Sequence, residues 1–155
     1  MRERLKESPS EVVIKYLFEP GIKGDLDSAY YPLIEVNKAH LIMLLEKGII
    51  HSNDGRKIAE AIKELELLDP KELYIDRYSE DLYSNMEAYI IEKIGADIGG
   101  QLHTGRSRND LFGTITRMNS RSQLLNACSQ ILELRKSILQ LAEENMDTIM
   151  PGYTC

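Results

Sequence analysis

Cysteine is scarce in this sequence. The two cysteines, Cys128 and Cys155, are too few for a disulfide framework and match no zinc-ligand spacing. A basic excess is also lacking, since 19 lysines and arginines stand against 25 aspartates and glutamates. The net charge of −6 argues against a general binder of nucleic acids or anionic membranes, which would need a basic face. We therefore expect neither nucleic acid nor membrane as a partner.

Long hydrophobic runs and low-complexity tracts are absent as well. The N-terminal segment MRERLKESPSEVV lacks the apolar core of a signal peptide, and no run approaches the length that spans a bilayer. A composition of 43% hydrophobic and 28% charged residues is typical of a globular protein. At 155 residues the chain can bury a core of its own. We expect a cytoplasmic protein that uses no metal or other cofactor.

What the sequence does contain is helical periodicity. Residues 34–47 are apolar on more than one face and stop at Gly48, residues 58–68 carry one apolar stripe, and a third stripe runs from Leu82 to Ile94. These patterns predict amphipathic helices and an all-α fold class. The N-terminal part is less regular: residues 12–18 fit either a short strand or a helical turn, and residues 19–32 read as loop.

A fourth helical segment, residues 109–147, is unusually long. It contains no proline and one glycine, Gly113, and a single helix of that length measures about 55 Å. Two neighbouring apolar stripes run along it, one from Leu111 to Leu139 and one from Leu124 to Ala142. Three shorter helices cannot cover both, so we expect further helices from additional chain or from other subunits. We divide the chain into an N-terminal helical domain (1–105) and the start of a long-helix bundle (106–155).

Polar and basic residues are concentrated just before this helix, in GGQLHTGRSRND (99–110). Residues 101–121 hold four arginines and one aspartate in a chain that is acidic overall. Unpaired N–H groups at a helix start, together with the planar forks of Arg106 and Arg108, suit a carboxylate or phosphate. The alternative is a structural turn whose arginines pair with acids of neighbouring helices. The segment lacks the Gly-Lys-Ser/Thr ending of a P-loop, and His103 has no partner at metal-ligand spacing.

The motif HTGRSRND (103–110) resembles that of the argininosuccinate lyases, members of the fumarase/aspartase superfamily. The approach SEDLYSNMEAYIIEKIGADIGGQL (79–102) and the later MPGYTC (150–155) are similar to family segments. The resemblance implies an all-α homotetramer with a central bundle of long helices and active sites shared between subunits. It also implies a carbon–nitrogen lyase that eliminates fumarate from an N-substituted aspartate, releasing arginine and fumarate from argininosuccinate.

Site residues follow from the resemblance position by position. Asn109 and Thr154 correspond to substrate-binding residues, and Ser107 and Arg108 flank the same pocket. Cys155 stands where the family has a histidine assigned to catalytic proton transfer. A cysteine accepts a proton only as thiolate, and its unperturbed pKa is about 8.5, so this exchange changes the chemistry.

Two further differences from the family leave other functions open. Ile115 stands where the family has an acid, and the family's later catalytic loop has no counterpart in these 155 residues. We therefore expect the chain by itself to be inactive. The alternatives are a divergent lyase that acts on another amino-linked dicarboxylate, a non-catalytic descendant with a structural or interaction role, and an unrelated helical module that binds an anion or nucleotide.

Overall fold

Helices make up the regular secondary structure of the computed structural model, which describes residues 8–154. Within these residues there is no β-strand, which confirms the predicted all-α fold class. The α-helices are α1 (Glu11–Val13), α2 (Glu19–Ser28), α3 (Tyr30–Glu46), α4 (Ser52–Leu67), α5 (Leu82–Ile94), α6 (Ala96–Gly99) and α7 (Arg108–Glu144).

The N-terminal segment is helical where a loop was expected. A π-helical turn, Ile14–Phe18, joins α1 to α2, and α2 with the start of α3 occupies residues 19–32. The loop prediction for 19–32 is therefore wrong, and the open choice at 12–18 resolves to helix. Pro20 in a regular helix would clash with the carbonyl four residues earlier, and the wider turn before it, in which Glu19 N–H donates to Ile14 O, relieves that clash.

The core of the first part of the chain lies between α3, α4 and α5. The apolar stripe predicted on α4 is buried as expected, with Ile58, Ile62 and Leu65 at most 1% exposed. These side chains pack against buried residues of α3 and α5 that recur at helical spacing. The largest of those residues are Tyr30, Leu33, Ile34, Leu44, Leu82, Met86 and Ile90.

Tyr30 adds a polar tie between α3 and α4. Its hydroxyl donates to the carbonyl of Leu65 over 2.7 Å, and the tyrosine is 1% exposed. Leu65 lies in the last turn of α4, where its carbonyl accepts only a longer backbone bond, from Leu68 N–H at 3.3 Å. Tyr30 therefore caps α4 from a neighbouring helix. Burial, followed by the neighbouring Tyr31, raises the pKa of Tyr30 to about 12.

The described chain divides into two compact units, with the division between Arg117 and Met118. In the first unit, Leu111 and Ile115 at the start of α7 belong to the buried core. In the second unit, every described residue from 120 onward is exposed, and this includes large apolar side chains of α7. Those side chains are Leu124, Leu125, Ile131, Leu132, Leu134, Ile138, Leu139 and Leu141.

Candidate functional site

Short turns between α5 and α7 position the residues of the motif HTGRSRND. Gly99, at the end of α6, lies so close to α5 that a Cβ there would sit 3.0 Å from the Cα of Ile91. A 3₁₀ turn, Gly100–His103, follows, and Gly105 adopts a φ of +67° that favours glycine. These features turn the chain sharply before α7 begins at Arg108.

An open groove of about 640 Å³ lies beside the start of α7. Three predicted site residues, Ser107, Arg108 and Asn109, line it together. The structure thus brings these three to one surface of the first unit. The groove is completed by residues that the sequence did not indicate, namely Glu80, Glu87 and His103.

Arg108 is held by acids and a hydroxyl from the start of α5. Its Nη1 lies 2.6 Å from Glu80 Oε2 and 3.3 Å from Asp81 Oδ2, and its Nη2 donates to Ser84 Oγ over 2.9 Å. Burial lowers the pKa of Arg108, but the Glu80 hydrogen bond and the Asp81 and Glu80 charges outweigh it, so the net shift is upward. The guanidinium is therefore charged and fixed in direction.

Ser107 directly precedes α7, and Asn109 lies in its first turn. Ser107 Oγ accepts from the Asn109 backbone N–H at 3.3 Å, and the Ser107 carbonyl accepts from Leu111 N–H at 3.2 Å. The Asn109 side chain is exposed and makes no hydrogen bond within residues 8–154. Its amide is thus available to a ligand, next to the N–H groups that the first turn of a helix leaves unpaired.

His103 belongs to a polar cluster with α5. Its Nδ1 lies 2.8 Å from the hydroxyl of Tyr83 and 3.2 Å from Glu87 Oε1. Tyr83 is buried, and burial, with the nearby Glu87 charge, raises its pKa to about 12. The hydroxyl therefore keeps its proton at neutral pH. Tyr83 and Glu87 are four residues apart on α5, so their shared face could have been read from the sequence, whereas its contact with His103 is tertiary.

The charge of the groove differs from the local sequence charge. Arg108 is paired with Glu80 and Asp81, and Arg106 does not line the groove. Glu80 and Glu87 do line it, so the arginines of the motif do not create a free positive surface there. The available donors are the Asn109 amide and the N–H groups of the α7 first turn.

The two C-terminal site residues are not part of the first unit. Thr154 belongs to the second unit and is exposed. Cys155 lies outside the described residues. Across the part of the chain that the structure describes, no three His, Cys, Asp or Glu side chains converge as metal ligands, and no helix combines the length and apolar character needed to cross a bilayer.

The model of the lyase family matches residues 33–155, which is most of the chain, so the chain belongs to that family. Among curated proteins, the chain is similar to argininosuccinate lyases. Over 97% of its length, the chain is 46% identical to argininosuccinate lyase 1 of Shouchella clausii. It is 36% identical over 99% of its length to argininosuccinate lyase of Methanosarcina acetivorans, and 41% identical over 78% to that of Bacillus cytotoxicus.

The chain is short beside these relatives. It spans 30% of the length of the Shouchella clausii and Methanosarcina acetivorans proteins and 26% of the Bacillus cytotoxicus protein. The chain therefore corresponds to one portion of these much longer proteins.

Proposed function

We propose that this chain is the N-terminal part of an argininosuccinate lyase-like enzyme, which converts argininosuccinate to arginine and fumarate. The observation that carries the proposal is the convergence of Ser107, Arg108 and Asn109 on one groove. Similarity to argininosuccinate lyases along nearly the whole chain supports it.

The chemistry needs fixed donors rather than a metal. A base removes the proton beside a carboxylate, the resulting aci-carboxylate carries extra negative charge, and the C–N bond then breaks to release the amine and fumarate. Donors held in place before the reaction stabilise such charge most effectively. Asn109 and the α7 first turn supply donors, while Arg108 is fixed by its acid partners at the groove wall.

We assign Thr154 to substrate binding and Cys155 to the position of proton transfer. Cysteine is shorter than histidine and reacts as thiolate, so this protein would need a lowered thiol pKa or another proton carrier. We keep the division into a lyase domain (1–105) and the start of the long-helix bundle (106–155) as part of the proposal.

The long helix supports an assembly. The apolar side chains of α7 beyond residue 118 are more than half exposed, and a face of this kind is ordinarily covered in a finished fold. We propose that other helices of a homotetramer cover it and complete the active site. On this account the 155-residue chain alone is inactive.

The test is fumarate formation by the protein that carries this chain, followed by ultraviolet absorbance with argininosuccinate as substrate. Production of fumarate and arginine in equal amounts supports the proposal. A correctly folded oligomer that produces no fumarate from argininosuccinate contradicts it. Other N-substituted aspartates, assayed in parallel, show whether a different amine is the leaving group.

Cys155 favours a second candidate, a non-catalytic descendant that keeps the assembly. That candidate predicts an oligomer that releases fumarate from none of these substrates. It also predicts that Cys155→His, which restores the family's residue, leaves the protein inactive.

A further inference from the structure

We propose that Arg106 is a positioning residue: anchored on α3 and α5, it fixes the loop that places Ser107 and Asn109 at the groove. Only the expected effect of Arg106 on catalysis rests on the proposed function. Neither the motif resemblance nor the relatives assign Arg106 a role of this kind. Its basis is a set of contacts that the loop makes with α3 and α5.

The first contact is a buried hydrogen bond to α3. Arg106 Nη1 donates to the side-chain oxygen of Asn37, a residue only 2% exposed. A buried amide oxygen without a donor is costly, and a bond to a charged donor is stronger than one between neutral groups. The pair therefore links residues 69 positions apart in sequence.

The second contact is with α5. The Arg106 guanidinium carbon lies 5.9 Å from the centre of the Tyr83 ring, and Tyr83 is itself buried and bonded to His103. The other terminal nitrogen, Nη2, is buried and has no hydrogen-bond partner within residues 8–154. Arg106 is thus held by the Asn37 bond and by its contact with the Tyr83 side chain, so loss of the Asn37 oxygen removes the hydrogen bond that Nη1 makes to α3.

A neighbouring contact anchors the same loop. His40, one turn after Asn37 on α3, donates from Nε2 to the Thr104 carbonyl over 3.0 Å. Burial and the adjacent Arg106 charge lower the pKa of His40, so the ring is neutral at pH 7 and its Nε2 carries the proton. α3 is therefore hydrogen-bonded to the loop on both sides of Gly105, at Thr104 and at Arg106.

The consequence for the groove follows from chain continuity. Gly105 adopts a left-handed φ of +67°, and Ser107 and Asn109 follow within four residues, so a shift of the loop at Thr104 or Arg106 moves both of them. Arg106 does not line the groove, so it acts through the placement of its neighbours rather than by touching a ligand.

The test compares Asn37→Leu with Asn37→Asp in the full 155-residue chain, by amide hydrogen exchange. Leucine removes the acceptor at similar volume, whereas aspartate keeps one and offers its second oxygen to Nη2. We expect exchange at residues 103–109 to rise about tenfold in Asn37→Leu, because a lost bond to a charged group costs on the order of 1.5 kcal/mol. Residues 58–65 of α4 should be unchanged, and Asn37→Asp should behave like the parent.

Unchanged exchange at 103–109 in Asn37→Leu, or an equal rise in α4, overturns the positioning role. The kinetic arm uses the lyase that carries this chain, with Asn37→Leu, Asn109→Ala and the double variant. Positioning predicts that the losses in kcat/KM are less than multiplicative, because both variants remove the same placed amide. Strictly multiplicative losses overturn the link to Asn109. Absence of fumarate from the parent protein refutes the proposed function instead, while exchange still decides the role of Arg106.

Discussion

Replacing Asp81 by alanine should loosen α5 and Arg108 together. Asp81 is the N-cap of α5, and its Oδ1 accepts from both the backbone N–H and the hydroxyl of Ser84 at 2.7 Å. Its other oxygen lies 3.3 Å from Arg108 Nη1. The same Arg108 lines the groove, so this one carboxylate joins helix capping to the candidate site.

The expected cost can be assembled from these contacts. Loss of a capping side chain costs about 0.5–2 kcal/mol. The ion pair adds about 0–1 kcal/mol, since the Arg108 side chain is one-third exposed and keeps Glu80 as a partner. Asp81→Ala should therefore lower the free energy of unfolding by about 0.5–3 kcal/mol. Asp81→Asn keeps the cap and loses the charge, so it should cost about 1 kcal/mol or less.

Urea denaturation followed by circular dichroism measures both variants, with Asp27→Ala, an exposed residue of α2, as the matched control. The control should stay within about 0.5 kcal/mol of the parent. Equal losses in Asp81→Ala and Asp81→Asn would refute the assignment of most of the effect to capping. No loss in either variant would refute the contact geometry itself.

Other predictions concern the core and the helix ends. Tyr30→Phe should lower the free energy of unfolding by about 1 kcal/mol, because the Leu65 carbonyl loses its shorter bond and keeps only the 3.3 Å bond from Leu68 N–H. Tyr31→Phe, at a residue 56% exposed, should cost almost nothing in the same denaturation assay. Because the Tyr30 pKa is raised from 10 to about 12, the folded state holds that proton more tightly, so stability should fall as pH rises from 10 to 12 and fall less in Tyr30→Phe. Gly24→Ala in α2 should raise the free energy of unfolding by about 0.5–1 kcal/mol, and Gly48→Ala, where φ is +65°, should lower it by about 1 kcal/mol. Neither added Cβ meets an atom within 4 Å, so the two variants differ in backbone conformation and not in packing. Changes of the same sign would contradict this explanation.

The sequence predicted the helices that carry regular apolar stripes. The prediction of 34–47 corresponds to α3 (Tyr30–Glu46), and that of 109–147 to α7 (Arg108–Glu144). It failed at 19–32, where Pro20 and two glycines suggested a loop. A π-helical turn before Pro20 accommodates the proline, and burial of Ile22 offsets the weak helix propensity.

The candidate site was only partly visible in the sequence. The motif residues Ser107, Arg108 and Asn109 were found, because they are adjacent and begin a helix. Their partners were not, since Asn37 and Glu80 reach the loop only after α3 and α5 pack. The sequence left open whether Arg106 and Arg108 face an anion or pair within the fold. In the structure Arg108 pairs with Glu80 and Asp81, and Arg106 donates to Asn37.

Asn109 is proposed to bind substrate at this groove, and kcat/KM for argininosuccinate in the lyase that contains this chain tests that role. Asn109→Ala is compared with Asn53→Ala, an exposed asparagine of α4 that does not line the groove. In Asn109→Ala, kcat/KM should fall about 10²-fold or more, because the variant loses one hydrogen-bond donor to the substrate. In Asn53→Ala, kcat/KM should not change. Near-parental kcat/KM in Asn109→Ala would contradict that role.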